Sequence, residues 1–132
     1  MDPAAPVIHA GDVNDVGRAV AAAFAAGDKL RNGSYLAVCG GVYSWNDLVS
    51  TLNAQGHAVQ VQQVPADVYD TFFPGAPEMR ETFQYFEQCF YFGPDREPRI
   101  AAAKALCPDG FASFSDWARR NLSPTTAEVD RP

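Results

Sequence analysis

The stretch SYLAVCGGVYSWND, residues 34–47, decides how this chain is read. Ser34 to Cys39 reads as a mostly buried strand, which the pair Gly40-Gly41 ends. Ser44-Trp45-Asn46-Asp47 then starts a helix, because Ser44 can accept from the amide three residues on while Asp47 can reach back to the amide of Ser44. A dinucleotide-binding turn needs three glycines spaced G-x-G-x-x-G after a strand. Here Gly40-Gly41 lead into Val42-Tyr43 with no third glycine, and the pattern occurs nowhere in the 132 residues. None of the tyrosines at 35, 43, 69, 85 and 91 has a lysine four residues on, so the Tyr-Lys pair of hydride-transferring short-chain reductases is missing as well. No cofactor is expected, and redox chemistry with NAD is not the default.

Upstream, residues 1 to 6 form a short Pro/Ala leader before a strand at Val7-Ile8-His9-Ala10. Asp12, Asn14 or Asp15 can cap the helix that follows. Its apolar face would be Val16, Ala19, Val20, Ala23 and Phe24, and Gly27 stands where a left-handed residue ends it. Downstream, Leu48, Val49 and Leu52 line the helix begun at Ser44, and Val59 to Val64 alternates as a further strand with Gln60 and Gln62 turned outward. Pro65-Ala66-Asp67 opens a short helix through Phe72. Pro77 starts the longest one, with Met79, Phe83, Phe86 and Phe90 on one face and Gly93-Pro94 at its end. Arg99 to Leu106 reads as an alanine-rich helix, and Ser113 or Ser115 caps a last one carrying Trp117 and Leu122. The spacing predicts an α/β fold of α+β kind, helices packed on a small sheet, as a single domain over 1–122 with a flexible tail at 123–132.

Composition narrows the function. With 47% apolar and 12% aromatic residues, the chain can bury one core. Ten basic against 16 acidic residues give a formal charge of −6, which repels phosphate backbones and anionic lipid, so neither nucleic acid nor membrane is an expected partner. Cys39, Cys89 and Cys107 are odd in number and far apart, which suits neither a disulfide framework nor a zinc site. No metal is expected. The amino terminus begins acidic without a long apolar run, and the expected location is the cytoplasm.

Read with their residues, several segments in order resemble the NmrA-like family of atypical short-chain dehydrogenases. They are Gly11 to Val20; Tyr35 to Val38 with Tyr43 to Asp47; Val61 to Pro65; Phe73 to Ala76 running into the aromatic helix to Gly93; and Phe114 to Asn121. The resemblance implies the substrate-side, carboxy-terminal part of that family, a small domain closing over a cleft opposite the cofactor, without the Rossmann half. Either the chain is a piece of a longer protein, or it is a free-standing one that adapted this domain to another use. The capped elements at both ends favour the second.

Candidate chemistry rests on few residues. His9 ends a strand three residues before Asp12, where a carboxylate could orient the ring and raise its basicity, although Asp12 also reads as a helix cap. His57 follows Gly56 and is expected in an exposed turn. Cys39 and Cys89 lie among apolar neighbours and read as packed thiols. Tyr85, Cys89 and Phe92 give the aromatic helix a second apolar face, which needs a ligand or a second subunit, so a homodimer is expected. The leading expectation is a cofactor-independent biosynthetic enzyme of cyclase, isomerase or dehydratase type acting on an apolar oxygenated metabolite. His9, Asp12 and Tyr85 would be catalytic, and Phe72, Phe73, Tyr91 and Phe92 would hold the substrate. The alternative is a non-catalytic ligand-binding or regulatory module that docks on a reductase-like partner.

Overall fold

The helix start at Ser44 forms with both reciprocal bonds. In the computed structural model, which describes residues 2–124, the Ser44 hydroxyl accepts from the Asp47 amide at 3.1 Å, and the Asp47 carboxylate accepts from the Ser44 amide at 2.8 Å. Around this point the chain runs β1 (Ile8–Ala10), α1 (Val13–Ala26), a 3-10 turn (Gly27–Lys29), β2 (Gly41–Tyr43), α2 (Trp45–Ala54), α3 (Ala66–Tyr69), α4 (Ala76–Cys89), α5 (Arg96–Leu106) and α6 (Phe114–Asn121). β1 and β2 pair antiparallel, with Ile8 opposite Tyr43, His9 opposite Val42 and Ala10 opposite Gly41. The fold is therefore α/β of the α+β kind, with six helices among the described residues packed on a small two-stranded sheet. From residue 125 onward the expected flexible tail lies outside the described residues.

Two expected strands do not form. Residues 34–39 bury Ala37 and Cys39 alternately, as a strand would, but their backbone finds no ladder: the Val38 amide bonds back to Leu36, and the next regular bond, Gly40 to Ala10, comes only where β2 begins. Alternate burial thus arises without strand pairing. Gly40 is there for closeness, since a Cβ on it would run into the carbonyl of Ala112. In the 59–64 segment, the Asn53 carboxamide takes the place of a neighbouring strand, accepting from the Val59 amide and donating to its carbonyl, both at 3.0 Å.

The helices pack in pairs, α1 on α5, α2 on α6 and α3 on α4. α1 does not bury the face its larger residues suggest. Ala19 is buried, whereas Val16, Val20 and, most of all, Phe24 are exposed, along with Val13. Ala19 on α1 and Ala103 on α5 are small enough to bring the two helix backbones close, and the larger residues are left on the outer side. α4 also ends before Gly93. Phe90 terminates it at a φ of 59°, a left-handed conformation that an L-residue adopts at a cost, and the Arg96 guanidinium lies 3.6 Å over its ring. This early turn throws Tyr91 and Phe92 back toward β1. The centre of the core is Ala37, Cys39 and Ile100, with Val42 and Phe92 packed on it.

Buried carboxylates tie the two ends of the chain together. Asp12 caps α1 through the Asn14 amide at 2.9 Å and binds Arg120 of α6 at 2.8 Å. Asp15, one turn on and buried, accepts from the Ala112 amide at 2.7 Å and pairs with Arg18. Tyr43 adds a third tie, its hydroxyl accepting from the Phe114 amide at 3.0 Å.

Candidate functional site

A cavity of about 420 Å³ lies between α2, α4 and the extended 60–64 segment. Each wall has a local cause. The capping box starts α2 so that Trp45 and Val49, four residues apart, share a face, and on α4 Arg80, Phe83 and Gln84 share another. Trp45 meets Phe83 edge to face at 5.5 Å. Pro3 also lines the cavity, held by the bond from the Asn46 amide to its carbonyl at 3.1 Å. Tyr69, at the close of α3, is a further lining residue.

The polar lining is mostly uncharged. Gln60, Gln62, Gln63 and Gln84 supply carboxamides, and among the described lining residues Arg80 is the one charged side chain. Its charge is answered from behind. The Asp70 carboxylate accepts from Arg80 Nε at 2.8 Å and from Nη2 at 3.0 Å, a two-pronged pair, and Gln84 accepts from Nη1 at 3.4 Å. The guanidinium hydrogen bond holds the Asp70 carboxyl below the usual carboxylate range, so the pair stays ionised at neutral pH.

A second cavity, about 330 Å³, is bordered by His9, Asp12, Ala112, Phe114 and Trp117. His9 Nδ1 lies 3.3 Å from the Val7 carbonyl, which can only accept, so the neutral ring carries its proton there. Nε2 is then a bare acceptor, buried and without a hydrogen-bond partner among the described residues. Burial lowers the pKa of this imidazole, opposed by the Val7 bond and assisted by the charge of Arg96. Phe92 packs edge-on against the ring at 5.3 Å, and Tyr91 lies tilted at 6.0 Å.

The structure therefore brings His9 together with Tyr91 and Phe92, and gives Asp12 to Asn14 and Arg120. Tyr85 stands on the outer face of α4, 59% exposed, against Phe86. Phe72 and Phe73 pack on Tyr69, both exposed themselves. His57 is half-buried rather than exposed, and Cys89 is exposed rather than packed. Cys39 is buried, and desolvation pushes its thiol up, away from reactivity.

Sequence reading missed Trp45, Arg80 and the glutamines as one site. These residues lie on separate elements far apart in sequence, so no local pattern groups them. Among the described residues no cluster of three or more His, Cys, Asp or Glu could hold a metal ion, and no helix is long and apolar enough to cross a membrane.

Comparison with curated proteins and with solved structures gives no match. Comparison with family profiles gives one, covering 1–118 and so taking in both cavities and every helix except the end of α6. A match over that much of a 132-residue chain places it: the protein belongs to the NmrA-like family.

Proposed function

We propose that this NmrA-like domain binds an uncharged, largely apolar small molecule bearing oxygen functions, in the groove between α2, α4 and the 60–64 segment. One observation carries the reading: the aromatic rings of Trp45, Phe83 and Tyr69 line the groove together with carboxamides, and the one cation among the described lining residues is already paired with Asp70. Aromatic faces take an apolar body, and carboxamides both donate to and accept from carbonyl or hydroxyl groups at its edge. Among the described lining residues there is no histidine, cysteine or carboxylate, which favours binding over catalysis at this place. The test is a titration with 2-naphthol followed by proton–nitrogen NMR. Saturable shifts of the Trp45 indole N–H and the glutamine carboxamides support the reading, and Ala66→Phe, which fills the groove, should abolish them. Shifts confined to Trp117, or none, would refute it.

A second reading keeps catalysis, and the unpartnered Nε2 of His9 favours it. A neutral imidazole with a free lone pair is a general base in waiting; its ring packs on Tyr91 and Phe92 and borders the second cavity. In that reading the protein is a cofactor-independent isomerase, cyclase or dehydratase. His9→Ala should abolish turnover of its substrate with the circular dichroism unchanged, and full activity would remove the base. Self-association belongs to either reading. The exposed line of Val13, Val16, Val20 and Phe24 on α1 adds to the α4 aromatics as a surface for a second copy, and sedimentation at micromolar concentration tests it.

A further inference from the structure

Resting on the groove as a ligand site, we infer that Asp70 sets its selectivity, making it accept neutral ligands and refuse carboxylates by holding the guanidinium of Arg80. Arg80 faces the groove, whereas Asp70 is not among the lining residues. Asp70 ends α3 and Arg80 lies in the second turn of α4, so the packing of these two helices fixes their separation. Both side chains are about three-quarters covered, at 24% and 27% exposure, so solvent screens the pair only in part.

The donor count decides what a ligand meets. A guanidinium has five N–H groups in a rigid fork, and its strongest mode is a two-pronged grip on one carboxylate. Asp70 takes that grip through Nε and Nη2, and Gln84 takes a hydrogen of Nη1. What remains is one N–H on each terminal nitrogen, on a cation that lines the groove while its counter-charge does not. A neutral carbonyl can accept from such an N–H without disturbing the pair. A carboxylate would have to displace Asp70 or sit beside its negative charge, and neither repays the loss of its own hydration. Asp70 is thus a positioning residue, acting on the ligand only through Arg80.

The experiment compares two probes with one ring system, neutral 2-naphthol and anionic 2-naphthoate, titrated into the full chain at pH 7.5. The Trp45 indole resonance is the readout. Wild type should bind 2-naphthol in preference to 2-naphthoate. Asp70→Asn keeps the shape and one acceptor while freeing the cation, and should improve naphthoate affinity about tenfold with naphthol little changed. That is the low end for a hydrogen bond to a charged group, because the pair is partly exposed. Asp70→Glu should restore wild-type preference. Arg80→Gln introduced into Asp70→Asn should cancel the gain, which a role confined to holding α3 on α4 would not do. Equal binding of both probes by wild type, or an unchanged ratio in Asp70→Asn, would overturn the assignment and leave the groove intact as a site. Absence of any Trp45 response to either probe would overturn the groove and this inference together. If Asp70→Asn does not fold, Asp70→Ser with the same two probes carries the same expectation and the same refutation.

Discussion

Replacing Asp15 by alanine tests how the ends of the chain are held together. The carboxylate is 2% exposed in the first turn of α1, and its Oδ2 accepts from the Ala112 amide at 2.7 Å, across 97 positions of sequence. Alanine leaves that amide without its acceptor, which costs about 1–3 kcal/mol for a buried donor and the lower half of that range here, since Ala112 is half-buried. It also removes a negative charge from the positive end of α1, worth about 0.3–1 kcal/mol. Arg18, exposed, returns to water. Together the loss is about 2 kcal/mol, or a fall in Tm of about 8 °C for a domain of this size. Asp15→Asn keeps an acceptor for Ala112 and should lose about half as much. Urea and thermal unfolding give the two values, and hydrogen exchange at the Ala112 amide should quicken in the alanine variant alone. An alanine variant within about 0.5 kcal/mol of wild type, the range of ordinary surface changes, would refute the tie.

Two further outcomes follow from the same geometry. The folded state keeps His9 neutral because burial lowers its pKa, while in the unfolded chain the ring takes a proton near pH 6.5. Its contribution is therefore complete above about pH 6.5 and is lost as pH falls toward the folded-state value. Asp47, Asp70 and Asp116, all held below the usual carboxylate range, lose theirs only at more acid pH, so His9→Phe should flatten the urea midpoint between pH 6.5 and 5 alone. An unchanged slope would show that the ring is solvated. Gly40→Ala should cost at least about 2 kcal/mol in urea unfolding, because the new methyl meets backbone at Ala112 rather than a side chain that can swing away; a loss below 1 kcal/mol would mean that the 110–113 loop is free to yield.

Local signals made the helices legible. Ser44 with Asp47, Ser113 with Asp116, Asp12 with Asn14, and Gly27 at a positive φ all act within a few residues of one another, so the sequence alone sets where α1, α2 and α6 begin and where α1 ends. Candidate-site residues were legible in kind more than in place. An imidazole near aromatic residues is there, with His9 beside Tyr91 and Phe92, but the carboxylate expected to orient it is engaged by Arg120, which lies 108 positions away in sequence. No local pattern encodes that choice of partner.

The sequence by itself determined the family, the helix boundaries set by caps, and the dominance of helix over a small sheet, because each rests on short-range hydrogen bonding and periodicity carried in order along the chain. Tertiary structure alone decided which alternating segments become strands. Residues 34–39 and 59–64 have the pattern of strands, but a strand exists only where another backbone lies alongside to complete its hydrogen bonds, and among the described residues only Ile8–Ala10 and Gly41–Tyr43 meet that condition. It likewise decided which face of α1 is core, through the close approach that alanine permits, and how the cation lining the groove is held, because the guanidinium of Arg80 donates to an aspartate brought to it by the packing of α3 on α4.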